Sequence, residues 1–370
     1  MLLRAGLGLF RSLSYGLHAR WCLTGKPINP VECPPVQRTV TDYERLRESP
    51  NPAPAGTFRM ETTQEVAVRV VGIGQCSWDY LAVVDSFPTV DTKAEVHEWQ
   101  EQGGGPVATA LVTLARLGIP CDFFGIVGDD SAGDKIRSSF HSEGIDTTGL
   151  LTRENATSQT AFIAVERDTA CRTIFWQRPS GKPLLPAELP DGFLSGCNFL
   201  LLDGLLTEAS LWAARQAREH GIPVMLDAGR NRPGMLETAG MCDYVVASEQ
   251  FALDLGWDGT SEGLAAIAVS IGSEVLTVTR GTQGSMTWHD GEIITVPAFP
   301  VTAIDTTGAG DVFHGGYIFG LLRGMELPDT IRFASAVAAL KCSRIGGRAG
   351  IPDENSVIKF LARYGILLQL

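Results

Sequence analysis

The chain has 370 residues, of which 44% are hydrophobic, 19% charged and 8% aromatic. That is too long for a disulfide-stapled miniprotein and too apolar for a disordered chain, and it admits two domains or one large α/β unit. The net charge of −12 is uneven: residues 1–60 hold eight Lys/Arg against four acids and the remainder 22 against 38, an acidic body without the basic stripe that nucleic acid would require.

The first 60 residues also hold seven of the 20 prolines, and no acid precedes Glu32. They read as a leader, disordered or targeting, because Arg-rich and acid-free beginnings resemble organelle transit peptides. Residues 61–370 are then the folded unit, and a chain started at Met60 is expected to keep its activity. No run reaches the ~20 apolar residues of a spanning helix, so no membrane partner is expected. The expected location is cytoplasmic, with organelle import through residues 1–60 as the other reading. The eight cysteines show no CxxC pair and read as reduced, mostly buried thiols.

Residues 66–73 are a β-branched apolar run entering a Gly72–Gly74 turn, which predicts a buried strand. A second short strand is expected over 81–84, a polar stretch over 91–102, and a helix over 107–117 after Gly103-Gly104-Gly105. A strand follows at 123–127, and the runs 161–165 and 173–176 flank Arg167-Asp168-Thr169 as a hairpin. From there strands at 199–202, 223–226, 244–247 and 275–278 alternate with helix-like segments, notably 208–220 and 262–271. Such alternation predicts an α/β fold with a mostly parallel sheet covered on both faces. The early strands and the hairpin break the rhythm and suit a small β lid drawn from 78–103 and 160–178.

The stretch that carries chemistry is Asp305-Thr306-Thr307-Gly308-Ala309-Gly310-Asp311, followed by an apolar helix over 312–322. A small-residue turn at a helix N-terminus offers free backbone N–H groups and a positive dipole end to a phosphate. Asp311 sits in the first turn, where a carboxylate also serves ordinary helix capping. Spacing alone leaves both readings open. The six histidines form no metal-ligand pattern, so no protein-caged metal is expected.

The same stretch resembles the C-terminal signature of the PfkB, or ribokinase-like, carbohydrate kinase family. The resemblance spans roughly residues 62–355. Gly104-Gly105 through Gly118 is similar to the family's N-terminal glycine signature, and Phe124 to Asp130 with Gly144-Ile145-Asp146 is similar to its next segment. Val278-Thr279-Arg280-Gly281-Thr282-Gln283-Gly284 resembles its nucleotide loop. The resemblance implies a three-layer fold with a lid, and phosphoryl transfer from ATP to a hydroxyl of a sugar. It makes Asp311 the general base and the backbone of Gly308, Ala309 and Gly310 the stabiliser of the moving phosphoryl group. Thr279, Gly281 and Gly284 would line the nucleotide, with Ser335 and Cys342 beside the adenine. Mg²⁺ would be held mainly through ATP phosphates. Family analogy also allows a K⁺ ion near Asp305, Thr307 and Gly350, and a homodimer paired through the lids.

For the acceptor, the resemblance points to Asp79, Gly104 and Gly105, and to Thr109 where many relatives carry Asn. Ser248-Glu249-Gln250-Phe251 likewise departs from the family's Asn-x-x-Glu. Strings such as Gly103-Gly104-Gly105-Pro106 and Gly346-Gly347-Arg348-Ala349-Gly350-Ile351-Pro352 resemble bacterial sulfofructose kinase and ketohexokinase-like members. Lys93 and Gln177 stand at two of the three sulfonate positions, but Leu205 stands where Arg belongs, which removes the bidentate anion donor. A ketose-type sugar is therefore the preferred acceptor, with sulfofructose or a nucleoside as alternatives. A non-catalytic sugar or nucleotide sensor has no need of Asp311. A dinucleotide oxidoreductase would need a third glycine where Gly72-Ile73-Gly74-Gln75-Cys76-Ser77 has Ser77.

Overall fold

The computed structural model describes residues 68–368, and the leader assigned to residues 1–60 lies outside them. Thirteen strands and nine α-helices are formed among the described residues. Nine strands make one sheet in the order β13-β12-β11-β10-β9-β8-β1-β4-β5. β1 (Val70–Ile73) is central and pairs in parallel with β4 (Cys121–Gly128) and β8 (Phe199–Leu202). β9 (Val224–Ala228), β10 (Tyr244–Ser248) and β11 (Val275–Thr279) continue the parallel run. β12 (Ser285–His289) and β13 (Glu292–Val296) close one edge antiparallel, and β5 (Leu150–Arg153) adds in parallel to β4 at the other.

Period-2 alternation sends successive residues of these apolar strands into two separate cores. Val70, Phe199 and Leu201 pack on one face with α1 (Pro106–Arg116), α7 (Ala309–Leu322) and α8 (Leu327–Lys341). Val71, Ile73, Leu200 and Leu202 pack on the other with α3 (Thr207–Glu219) and α6 (Ser261–Ile271). α7 is apolar nearly all round because it lies between α1 and α8 as well as on the sheet. His314 reaches Val246 and Tyr317 reaches Thr277, so its N-terminus lies at the carboxyl ends of β10 and β11. That end of an open α/β sheet is where ligands bind.

The remaining strands form a four-stranded sheet in the order β3-β2-β6-β7, from β2 (Ser77–Val84), β3 (Glu98–Gly104), β6 (Thr160–Glu166) and β7 (Arg172–Gln177). β3 overlaps the polar stretch over 91–102 and, Gly104 apart, falls within the segment expected to supply the lid. Its Glu98, Gln100 and Gln102 have no apolar run to announce a strand, and it forms by pairing with β2. The inner face of this sheet packs Leu81, Ala161, Ile163 and Val165. Cys76, Cys121, Cys197, Cys242 and Cys342 are buried free thiols, as expected, whereas Cys171 is disulfide-bonded. Among the described residues no helix is long and apolar enough to cross a membrane.

Candidate active site

The acceptor end is assembled from β2, β3, α1 and the C-terminal segment. Asp79 is buried on β2, and its carboxylate accepts a 2.6 Å bond from Ser77 Oγ. Burial raises its pKa, while the Ser77 bond and the charge of Arg348 act against the rise. Ser77 lies opposite Gly104 on β3. A Cβ on Gly104 would collide with the Asp79 carboxylate, and one on Gly103 with the Arg348 guanidinium. The glycine pair is therefore a steric requirement of this wall. Gly105 follows with φ 98°, a left-handed turn into α1 that only glycine adopts cheaply.

Arg348 is 5% exposed and bonds to Ser139 Oγ at 2.9 Å, the Gly104 carbonyl at 3.2 Å and Thr109 Oγ1 at 3.4 Å. Thr109, expected to face the substrate in place of an amide, is thus partnered by a buried guanidinium. Lys93 and Gln177 differ from the rest of the expected acceptor set. Lys93 is exposed in the 85–97 loop and Gln177 is exposed at the end of β7, and neither bonds to Asp79 among the described residues.

The phosphate end is built from the turn into α7. Gly308 takes φ 72°, Ala309 N donates to Thr306 O at 3.2 Å, and the first helical bond runs from Val312 N to Gly308 O. The amides of Gly310 and Asp311 therefore precede the helical ladder and are free for an anion. Space beside Gly310 is open. His314, one turn on, holds this turn through Nδ1 at 2.7 Å from Gly310 O, and its Nε2 is 3.0 Å from Val246 O. Asp227 Oδ1 lies 3.5 Å from the same ring.

Asp311 is pushed up to about 7, first by burial and then by the charge of Asp227, with His314 and Arg172 pulling the other way and Asp79 adding to the rise. Asp203, buried after β8, is also pushed up to about 7 by burial, against bonds from the Gln75 and Leu205 amides at 2.7 and 3.0 Å. Three carboxylates thus converge at the strand ends with little compensating charge. Arg172 on β7 bonds to Thr306 Oγ1 at 3.0 Å, which ties the lid to the signature loop. Among the described residues no group of three or more His, Cys, Asp or Glu is placed to hold a metal ion.

Thr279, Gly281 and Gly284 share the β11–β12 turn, where Gly281 and Gly284 have φ of 54° and 81° and Thr279 Oγ1 donates to Ala247 O at 3.2 Å. Ser335 spends its hydroxyl on Ile331 O within α8, at 2.8 Å. Cys342 caps α8, and its carbonyl accepts from Ile304 and Asp305, so it lies against the signature loop. Sequence reasoning missed Asp203, Asp227, His314, Arg172 and Arg348 as site residues. A carboxylate at the end of each apolar strand was the available signal for the first two.

A doubly covered parallel sheet with free amides at a helix N-terminus, a carboxylate beside them and a β lid over the strand ends defines a small-molecule phosphotransferase. Residues 68–354 match the pfkB family of carbohydrate kinases, and the chain belongs to that family. It is similar to the ribokinase of Haemophilus influenzae, with 28% identity over 297 residues, 78% of this chain and 97% of the relative. It is also similar to a nucleoside kinase of Methanothermobacter thermautotrophicus, with 26% identity over 302 residues, 80% of this chain and 96% of that one. The solved ribokinase of Thermotoga maritima superposes with a TM-score of 0.68 at 25% identity, covering 80% of this chain and 99% of that one. The protein is an ATP-dependent carbohydrate kinase of ribokinase-like α/β fold, a sugar or nucleoside kinase by class.

Proposed function

We propose that the chain phosphorylates one hydroxyl of a ketose-type sugar or sugar derivative, with Asp311 as the general base. The observation that carries this reading is the position of Asp311, one residue past the open cradle and within electrostatic reach of Asp79. A sugar held through its hydroxyls by Asp79 would present another hydroxyl to Asp311. Asp311 takes the proton as the acceptor oxygen bonds to the γ-phosphorus, and the bond to the β-phosphate oxygen breaks to release ADP. The free amides of Gly310 and Asp311 would carry the charge on the moving group, whereas the Ala309 amide of the expected trio is spent on Thr306 O. A base whose pKa lies near the operating pH suits this task.

The nucleotide would lie along Thr279, Gly281 and Gly284, with Ser335 and Cys342 on the α8 side. The carboxylates of Asp227 and Asp311 are oxygen donors of the kind magnesium takes, and the ion would be carried mainly on the nucleotide phosphates. Such an ion would supply charge neutralisation. Arg172 approaches the signature loop from the lid and adds positive charge near Asp311.

The same reading pairs two copies through the lids. Trp99, Phe162 and Phe175 are 51%, 39% and 54% exposed, and neighbouring rings lie 5.8 and 6.4 Å apart across β3, β6 and β7. A continuous aromatic face of this kind favours a self-complementary contact. Solution mass should halve in Phe175→Lys; an unchanged mass would remove this part of the reading.

The substrate is tested by ADP release with ATP and a panel of ketoses, sulfofructose, ribose and nucleosides. Ketose-dependent release absent from Asp311→Asn is the expected result. Preference for ribose or a nucleoside would move the acceptor to the class named for the relatives, and release by none would defeat the reading.

A further inference from the structure

The monovalent cation expected near Asp305, Thr307 and Gly350 does not fit what the structure places there. Asp305 is fully buried. Its Oδ1 accepts from Thr307 N at 2.8 Å, its Oδ2 from Gly346 N at 2.7 Å, and its backbone oxygen from Lys341 Nζ at 2.9 Å. Lys341 ends α8 and is fully buried as well. Gly350 packs so closely that a Cβ there would strike the Lys341 carbonyl. A cation at this place would have to displace these donors and lie beside a fixed ammonium. Thr307 Oγ1 remains buried without a donor, but one hydroxyl is not a coordination shell.

We infer that the Lys341 ammonium is this chain's built-in substitute for the monovalent cation and holds the 305–308 turn, and so the amide cradle, without added potassium. A buried ammonium bonded to the backbone oxygen of Asp305 supplies the same charge and one of the same oxygen contacts as an ion would, but on a tether. Asp305 has both carboxylate oxygens bonded to the two loops that flank the cradle, so an ammonium that fixes its backbone steadies both at once. Burial pulls the Lys341 pKa below the ordinary lysine value, and Asp305 opposes the fall and favours the charged form. Lys341 acts through the loop and not on the substrate, which makes it a positioning residue.

This inference rests on the kinase reading only for its activity arm. Full-length protein is assayed for ATP turnover with its best acceptor, and for melting temperature, in potassium and in tetramethylammonium at equal ionic strength. The expected result for the wild type is the same turnover and the same melting temperature in both salts. Activation or thermal stabilisation by potassium would overturn the inference. In Lys341→Ala, turnover in tetramethylammonium should fall at least tenfold, and potassium should restore part of it and raise the melting temperature. A variant as active as the wild type without potassium would also overturn it. If that variant does not fold, the melting comparison on the wild type decides alone. Failure of the kinase reading looks different, as no acceptor-dependent turnover in either salt.

Discussion

The two ends of the site are made of different materials. The phosphate end is backbone: free amides over a turn of small residues, steadied from behind by His314 and the Asp305–Lys341 pair. The acceptor end is side chains: Asp79, Ser77, Thr109 and Arg348, interlocked through a glycine pair that leaves no spare volume. A backbone cradle recognises any phosphoryl group, because every residue offers the same amide. A wall of interlocked side chains fits one acceptor and is disturbed by small changes. The contrast predicts that changes at the phosphate end lower turnover, and changes at the acceptor end alter the choice and affinity of sugar.

Asp311→Asn should give the largest effect, a loss of ~10²–10⁴ in kcat with acceptor binding retained. Wild-type turnover in the folded variant would break the division of labour. To act as the proposed base, Asp311 must be ionised in the wild type. With the Asp311 carboxyl pushed up to about 7, kcat/KM should fall as pH drops through that value. The sign for stability is the reverse. A raised carboxylate pKa means that the fold favours the protonated form, so this group costs stability as pH rises toward the folded value. Asp311→Asn should therefore melt higher than the wild type at pH 8, by roughly 2–4 °C for each kcal/mol relieved.

Gly104→Ala comes next. The new methyl would push the Asp79 carboxylate aside, and a misplacement of this kind costs ~10²-fold in kcat/KM for the acceptor. The KM for ATP should not change, which sharpens the boundary between the two ends. Arg348→Met should raise the acceptor KM by roughly tenfold, in keeping with hydrogen bonds from a charged donor worth ~1.5–3 kcal/mol. Equal effects on ATP and acceptor would show that Arg348 supports the whole site. Lys93→Ala, in an exposed loop, should change the acceptor KM less than ~2-fold, since exposed charges contribute little. A large rise confined to an anionic sugar would return Lys93 to the acceptor site.

The sheet was legible wherever strands are apolar on both faces. Phe199–Leu202 was read with its own boundaries, and β9, β10 and β11 within a residue or two. The lid strand β3 and the edge pair β12–β13 were not, because half-exposed strands of mixed polarity carry no buried run. In the site, the phosphate turn was legible because its chemistry is local: small residues, a helix start and an acid lie within seven positions. Arg348 was visible as a letter of the Gly346–Pro352 string and Lys341 as the neighbour of Cys342, but neither as a part. Their meaning depends on partners 244 and 36 residues away, Gly104 and Asp305, and no periodicity reports such a meeting. Lys93 and Gln177 show the opposite limit, since both match family positions yet both are exposed and neither bonds to Asp79 among the described residues.

The Arg348 contact with Gly104 also has a consequence for how the protein is made. Asp79 and its glycine wall leave the ribosome early, but the guanidinium that packs against that wall follows 244 residues later than Gly104. Lys341, whose ammonium binds the Asp305 carbonyl, follows that residue by 36 positions. A nascent chain that has made β1, β4 and β8 still lacks both buried cations, and with them α7 and α8, which cover one face of those strands. A chain cut short before Lys341 would therefore lack the buried cation at both ends of the candidate site.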